Sequence, residues 1–172
     1  MLVVPRSGRA TTARAVTLHD LVQRSTRIAH TTALESWARS EQIGDTRHIV
    51  TYSRLRVDES IHGPYDTEVL VRTLGGRIGE VGEIVHGEAE LALNESSLVF
   101  LRTNADGIEQ VTAMAQGHYP LAVDLAGVAR LRASRNIPHL IPTGSASPTS
   151  AVSRLDGIRL TESRDLIQGA RR

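Results

Sequence analysis

The feature that most constrains the fold of this chain is a series of alternating segments between residues 47 and 124. From Tyr52 to Asp58, charged or polar positions alternate with positions such as Leu55 and Val57, which are apolar. Because successive side chains of a β-strand point to opposite faces, this pattern predicts a long strand with one solvated face. We therefore expect residues 47–124 to form the core of one compact, mainly antiparallel β domain.

Turn residues divide this region, and the residues just before it, into several strands. The predicted strands are 28–37, 48–58, 68–74, 97–102, 110–115 and 121–123. Leu98–Leu101 is apolar on both faces, so we expect it to be the most buried segment, and Asn104–Gly107 is a strong turn signal. Five or six short strands at this spacing are typical of a small antiparallel barrel or sandwich.

Four glycines follow the strand predicted at 68–74, namely Gly75, Gly76, Gly79 and Gly82. A glycine-rich phosphate loop requires a helix immediately after it, whose amino end holds the phosphate. Here the following segment is acidic and favours a strand, and its carboxylates would repel a phosphate. We therefore interpret the glycines as bends in a long hairpin that spans residues 75–90.

The two ends of the chain predict short helices outside the β region. Thr17 can cap a helix with an apolar face, and a terminal helix is predicted to begin at Thr161. The first fifteen residues are basic, but their apolar stretch is too short for a signal peptide. No apolar run is long enough to span a membrane. We expect a periplasmic or secreted protein if a true signal lies upstream, and a cytoplasmic one otherwise.

The segment before the terminal helix differs in character from the β region. It contains Pro138, Pro142 and Pro148 with serine and threonine between them, which predicts an extended connector. The predicted organisation is a disordered leader or targeting remnant at 1–15, a β-barrel-like domain at 16–125, a connector at 126–157 and a C-terminal helix at 158–172.

Two absences exclude several kinds of chemistry. The chain has no cysteine and no lysine, so disulfides, thiolate sites, Schiff bases and phosphate-loop lysines are excluded. The net charge of +1 provides no strong field that would attract nucleic acid or acidic membranes. No cofactor is predicted, and no arrangement of residues amounts to a convincing catalytic site, which favours a protein that is not an enzyme.

One candidate binding surface is the polar face of the strand at 48–58. Tyr52, Arg54 and Arg56 lie on that face, where an aromatic ring between basic residues is the arrangement that stacks and neutralises single-stranded nucleic acid. Asp58 and the acidic hairpin dilute the positive charge, which disfavours nucleic acid. The alternative is a solvated face on which the two arginines pair with acids across strands.

The best metal-like group is Glu83 and His86 with Glu88 and Glu90. On a strand His86, Glu88 and Glu90 would share one face, which allows a mixed imidazole and carboxylate site. Zinc would require a further ligand from elsewhere, for which His118 is a candidate. The alternative is a solvated polar face of the hairpin.

Five segments, taken in order, form a recognisable pattern. They are 18–22, 48–60, Leu74–Gly79, Leu98–Leu101 and Ala115–Tyr119. The pattern resembles an uncharacterised family of exported bacterial β proteins. The resemblance implies a small barrel similar to the OB-like netrin or metalloprotease-inhibitor modules, without an established activity. The chain departs from the family in carrying Leu74 where proline is usual.

The sequence thus predicts a mainly β protein, built on an OB-like barrel or sandwich with short helices at both ends. We expect a non-catalytic binding or interaction module whose partner is a protein. Its contact surface would be the face of Tyr52, Arg54 and Arg56, the hairpin at 75–90, or an exposed strand edge that takes up a partner strand. The alternative is a metal-binding protein or metal-dependent enzyme centred on the segment at 83–90.

Overall fold

The computed structural model describes residues 12–142 and 149–172 as a mainly β protein with helices near both ends. The strands are β1 Thr12–Arg14, β2 Arg27–Ile43, β3 Thr46–His62, β4 Glu68–Leu74, β5 Gly76–Ile78, β6 Val81–Glu83, β7 Ser96–Thr103, β8 Glu109–Val111, β9 His118–Val123, β10 Ala129–Leu131 and β11 His139–Ile141. The helices are α1 Leu18–Gln23, α2 Ala151–Leu155 and α3 Leu160–Ala170, and a 3₁₀ turn occupies Met114–Gly117.

Seven strands form one sheet in the order β10-β9-β7-β2-β3-β4-β8. The short strand β8 pairs with β4 in parallel and also with β7 in antiparallel fashion. Each neighbour in the series β7, β2, β3, β4 and β8 is therefore paired with the next, and β8 is paired with β7 again. The long hairpin of β2 and β3 turns at Gly44 and Asp45.

Strand β7 separates two apolar cores because its residues alternate between two buried faces. Leu98 and Phe100 belong to the helix-side core, whereas Val99 and Leu101 belong to the strand-side core. All four side chains are fully buried, which confirms that this segment is the most buried strand. The helix-side core also contains Leu18, Leu21, Val22, Ile28, Tyr119, Leu131, Ala151, Leu155 and Ile167. The strand-side core also contains Ala29, Ala33, Leu55, Val57, Val69, Val71, Ala89, Leu91 and Val111.

Local signals identify the first helix and the glycine bends correctly. The Thr17 hydroxyl accepts a hydrogen bond from the N–H of Asp20 at 3.0 Å, as a cap requires. Gly76 has φ +138°, and a Cβ there would lie 2.4 Å from the Thr51 hydroxyl oxygen. The glycines thus form bends of the β5–β6 hairpin and not a phosphate loop. That hairpin ends at Glu83, so the predicted hairpin at 75–90 is too long.

The leader at 1–15 and the connector at 126–157 are predicted to lack regular structure, but their described parts contain strands. Residues 1–11 of the predicted leader lie outside the described residues, but Thr12–Arg14 pair in parallel with His139–Ile141. The predicted connector at 126–157 contains β10, β11 and α2 in its described part. The described part of the predicted connector therefore carries two short strands and one helix, and Leu131, Ala151 and Leu155 are buried in the helix-side core.

Candidate functional site

The Tyr52 ring lies on the polar face of β3, as the alternation predicts, but it is not free. The Trp37 ring stacks on it with the ring centroids 5.9 Å apart. Its hydroxyl donates to Glu41 Oε1 at 2.7 Å, and Arg72 Nη1 donates to Glu41 Oε2 at 3.0 Å. Burial and the bond to Glu41 both raise the pKa of this hydroxyl. Tyr52 therefore has a structural role, and its ring is not free to stack on a nucleic-acid base.

The two arginines of this face are paired with carboxylates. Arg54 contacts Glu35 at 3.0 Å and Glu68 at 3.1 Å, which are residues of the neighbouring strands. Arg56 contacts Asp58 at 2.7 Å on its own strand. The expected pairing across strands is confirmed for Arg54, whereas Arg56 pairs along β3. These carboxylates neutralise the basic charge that nucleic acid would need.

The structure does not place His86, Glu88 and Glu90 on a strand. Strand β6 ends at Glu83, and His86 and Gly87 form a turn. His86 and Glu90 are exposed, whereas Glu88 is half-buried. Within residues 12–142 and 149–172, no three His, Cys, Asp or Glu side chains are grouped to hold a metal ion. The metal hypothesis therefore loses the geometric argument on which it depended.

The same segment instead forms one wall of a cleft of about 640 Å³. We call this the acidic cleft. Its floor is the sheet face that carries Ser36, Thr51, Ser53 and Thr73, and its wall is the segment 83–93. The charged side chains of the lining are Glu83, Glu88 and Glu90, and none of the described lining residues is basic.

Two of the three carboxylates are held in place by hydrogen bonds. Glu83 accepts from the His48 ring at 2.7 Å and from the N–H of Ile49 at 2.6 Å, and these bonds lower its pKa. Glu88 accepts from the N–H groups of Leu74 and Ala89, at 3.2 Å and 3.0 Å, but burial raises its pKa. Glu90 is exposed and makes no such bond in the described structure. It is the carboxylate most available to a ligand.

The cleft adjoins a free strand edge. Strand β2 pairs with β3 as far as Ile43, but with β7 only through Thr32. From residue 35 to 43, no described strand occupies the other edge of β2. Because the hairpin closes on a two-residue turn, the Ile43–Thr46 pair exchanges hydrogen bonds and alternate pairs follow. The N–H and C=O groups of Ser36, Ala38 and Ser40 therefore point outward.

A second cavity, which we call the histidine pocket, has a volume of about 250 Å³. It is lined by His118 and by charged residues of both signs, which are Glu90, Glu95, Arg132 and Arg135. His118 is 1% exposed, and burial lowers its pKa to about 4. Its Nε2 lies 3.8 Å from Glu95 Oε1, beyond hydrogen-bond distance.

Glu95 and the arginines of the histidine pocket were not expected from the sequence as site residues, and Glu83 and His118 were considered only in the metal hypothesis. Each of these residues meets its neighbours through contacts between distant parts of the chain. His48 and Glu83, for example, belong to different hairpins. For His118, the local signal of burial in the sequence is its position just before the apolar run Tyr119-Pro120-Leu121.

In comparison with known proteins, the chain matches no protein-family model and no curated protein. Among the described residues, no helix has both the length and the apolar character needed to cross a membrane. The fold and the site therefore define a mainly β protein with an acidic cleft beside a free strand edge.

Proposed function

We propose that this protein is a non-catalytic binding module that takes up an extended segment of another protein as an added strand on β2. The observation that carries the proposal is the free edge at residues 35–43 beside the acidic cleft. In such recognition, main-chain hydrogen bonds supply affinity, and pockets for alternate side chains supply specificity.

The side chains along the edge leave room for such a strand. Ala38 and Thr51 are register partners, so Ser36, Ala38 and Ser40 share the sheet face that carries Thr51. All three are small and uncharged. A segment added there would direct every second side chain over the acidic cleft.

The charge of the cleft indicates the chemistry of the segment. Glu83, Glu88 and Glu90 favour a basic side chain, since no described basic residue of the lining competes for them. Ile84 and Leu93 lie in the same lining and are 83% and 55% exposed, which favours apolar side chains next to the basic one. The proposed partner therefore presents a strand with both basic and apolar residues.

We further propose that the sheet is a small barrel of the OB kind, similar to the exported bacterial family that the sequence resembles. Three observations support this. Strand β2 pairs with both β3 and β7. Strand β4 pairs in parallel with β8. All five of these strands contribute residues to the strand-side core. These pairings support a five-stranded Greek-key barrel.

The binding proposal can be tested without a known partner. We expect selection from a phage-displayed library of random linear peptides to enrich sequences with arginine or lysine among apolar residues. Glu90→Arg should weaken the selected peptides by about tenfold or more, because it reverses the charge of an exposed carboxylate in the cleft. Affinity is measured by fluorescence polarisation of a labelled peptide.

The matched control is Glu80→Arg, since Glu80 is exposed at the tip of the β5–β6 hairpin and does not line the cleft. It should leave the affinity within about twofold of the parent protein, as expected for a screened surface charge. The proposal would be wrong if no peptide were enriched, or if both variants bound the selected peptides as the parent does.

A further inference from the structure

The histidine pocket contains a buried side chain whose hydrogen-bonding capacity is unused. Neither ring nitrogen of His118 has a hydrogen-bond partner among the described residues, although the side chain is 1% exposed. Buried polar side-chain atoms are normally paired, so such a group marks a place where a ligand or an ordered water supplies the partner. His118 lines the pocket, so a molecule held there lies beside this residue.

The protonation state of His118 defines what it offers. Burial holds the pKa of the ring at about 4, so the imidazole is neutral at neutral pH. A neutral imidazole presents one donor and one acceptor nitrogen. It can therefore bind a polar group of either kind without the cost of placing a charge in the interior.

The lining of the pocket carries charges of both signs. Arg132 and Arg135 are exposed, and neither forms an ion pair within the described part of the chain. Glu95 and Glu90 line the same space. Arginine binds a carboxylate through two parallel hydrogen bonds, and a carboxylate of the pocket can hold an ammonium group.

We propose that the histidine pocket binds a small zwitterion, which carries a carboxylate and an ammonium group and has the size of a free amino acid. The arginines would hold the carboxylate, Glu95 and Glu90 the ammonium group, and His118 a polar atom at the buried end. A cavity of about 250 Å³ suits such a molecule better than a larger ligand. A dianionic phosphate is disfavoured because two carboxylates line the same space.

The site is tested by nuclear magnetic resonance of the histidine ring protons, with the standard amino acids added one at a time at millimolar concentration. We expect at least one of them to shift the His118 signal saturably. Acetate and methylamine, which each carry only one of the two charges, should bind at least about tenfold more weakly than that amino acid. Inorganic phosphate should give no saturable shift.

Arg135→Gln should weaken the binding of that amino acid by about tenfold, because it removes a charged partner of the carboxylate. Arg47→Gln, at an exposed position that does not line the pocket, is the matched control and should leave the affinity unchanged. Glu90 variants are unsuitable here because Glu90 also lines the acidic cleft. Both arginines are on the surface, so neither substitution threatens folding.

Three results would overturn the proposal. The first is the absence of a saturable shift with any amino acid, together with a crystal structure that shows ordered water only. The second is equal binding of acetate or phosphate, which would indicate a site for anions in general. The third is an equal loss of affinity in the two arginine variants. Each outcome is independent of peptide binding at β2, because it is measured with the free small molecule.

Discussion

Replacing Gly63 with alanine is expected to lower the free energy of unfolding by about 3 kcal/mol or more. Gly63 follows the last residue of β3 and has φ +91°, a conformation that residues with a side chain rarely adopt. A Cβ at this position would lie 2.2 Å from the backbone oxygen of Thr26. Because that oxygen belongs to the main chain just before β2, relief would require a shift of the sheet. Urea unfolding followed by circular dichroism measures the change.

Gly44→Ala is the matched control for this substitution. Gly44 has φ +59°, but a Cβ there would meet no atom within 4 Å. Its replacement should cost only the backbone strain, about 1 kcal/mol. Equal losses in the two variants would contradict the close approach of residue 63 to Thr26.

Over the range from pH 6.5 to pH 4, the parent protein is expected to lose about 3 kcal/mol of stability relative to His118→Leu. Burial lowers the folded-state pKa of His118 from 6.5 to about 4. Between these values the unfolded chain binds a proton at this residue and the folded protein does not. Acidification therefore favours unfolding. The stability that depends on neutral His118 is fully present above pH 6.5 and is lost as the pH falls towards 4.

The measurement is urea unfolding at a series of pH values for the parent and the variant. Burial also raises the pKa of Glu88, but this group is present in both proteins and does not line the histidine pocket, so its effect cancels in the difference. Parallel curves for the parent and His118→Leu would show that His118 is not buried in its neutral form.

The local pattern of the sequence was sufficient to predict most of the β framework. The alternation around Tyr52 and Leu55 assigned both faces of β3. The segment predicted at 68–74 matches β4, because its alternation and the glycines after it are both local signals. The predicted helix after Thr17 matches α1 for the same reason.

The errors arise where tertiary contacts decide the structure. The segment after Glu83 favours a strand by composition, but Glu88 and the buried Ala89 and Leu91 pin it across the sheet instead. The strand predicted at 110–115 is only Glu109–Val111, because a 3₁₀ turn begins at Met114. Strands β10 and β11 are short, and their pairing partners are not apparent from local pattern.

The candidate site was less predictable than the fold. The residues chosen from the sequence are of types that bind nucleic acid or metal, but Arg54 is neutralised by acids of the neighbouring strands and Arg56 by Asp58 of its own strand. The acidic cleft requires the segment 83–93 to cross the face of β3 and β4. The free edge of β2 is visible only once the extent of its pairing with β7 is known.

The central claim is that a partner segment binds as an added strand on β2. Its most direct test is nuclear magnetic resonance of the protein in complex with a peptide selected by phage display. We predict nuclear Overhauser contacts between the peptide backbone and residues 35–42, and slower amide exchange at Ser36, Ala38 and Ser40. Contacts confined to the face of Tyr52, Arg54 and Arg56, with unchanged exchange along β2, would contradict the claim.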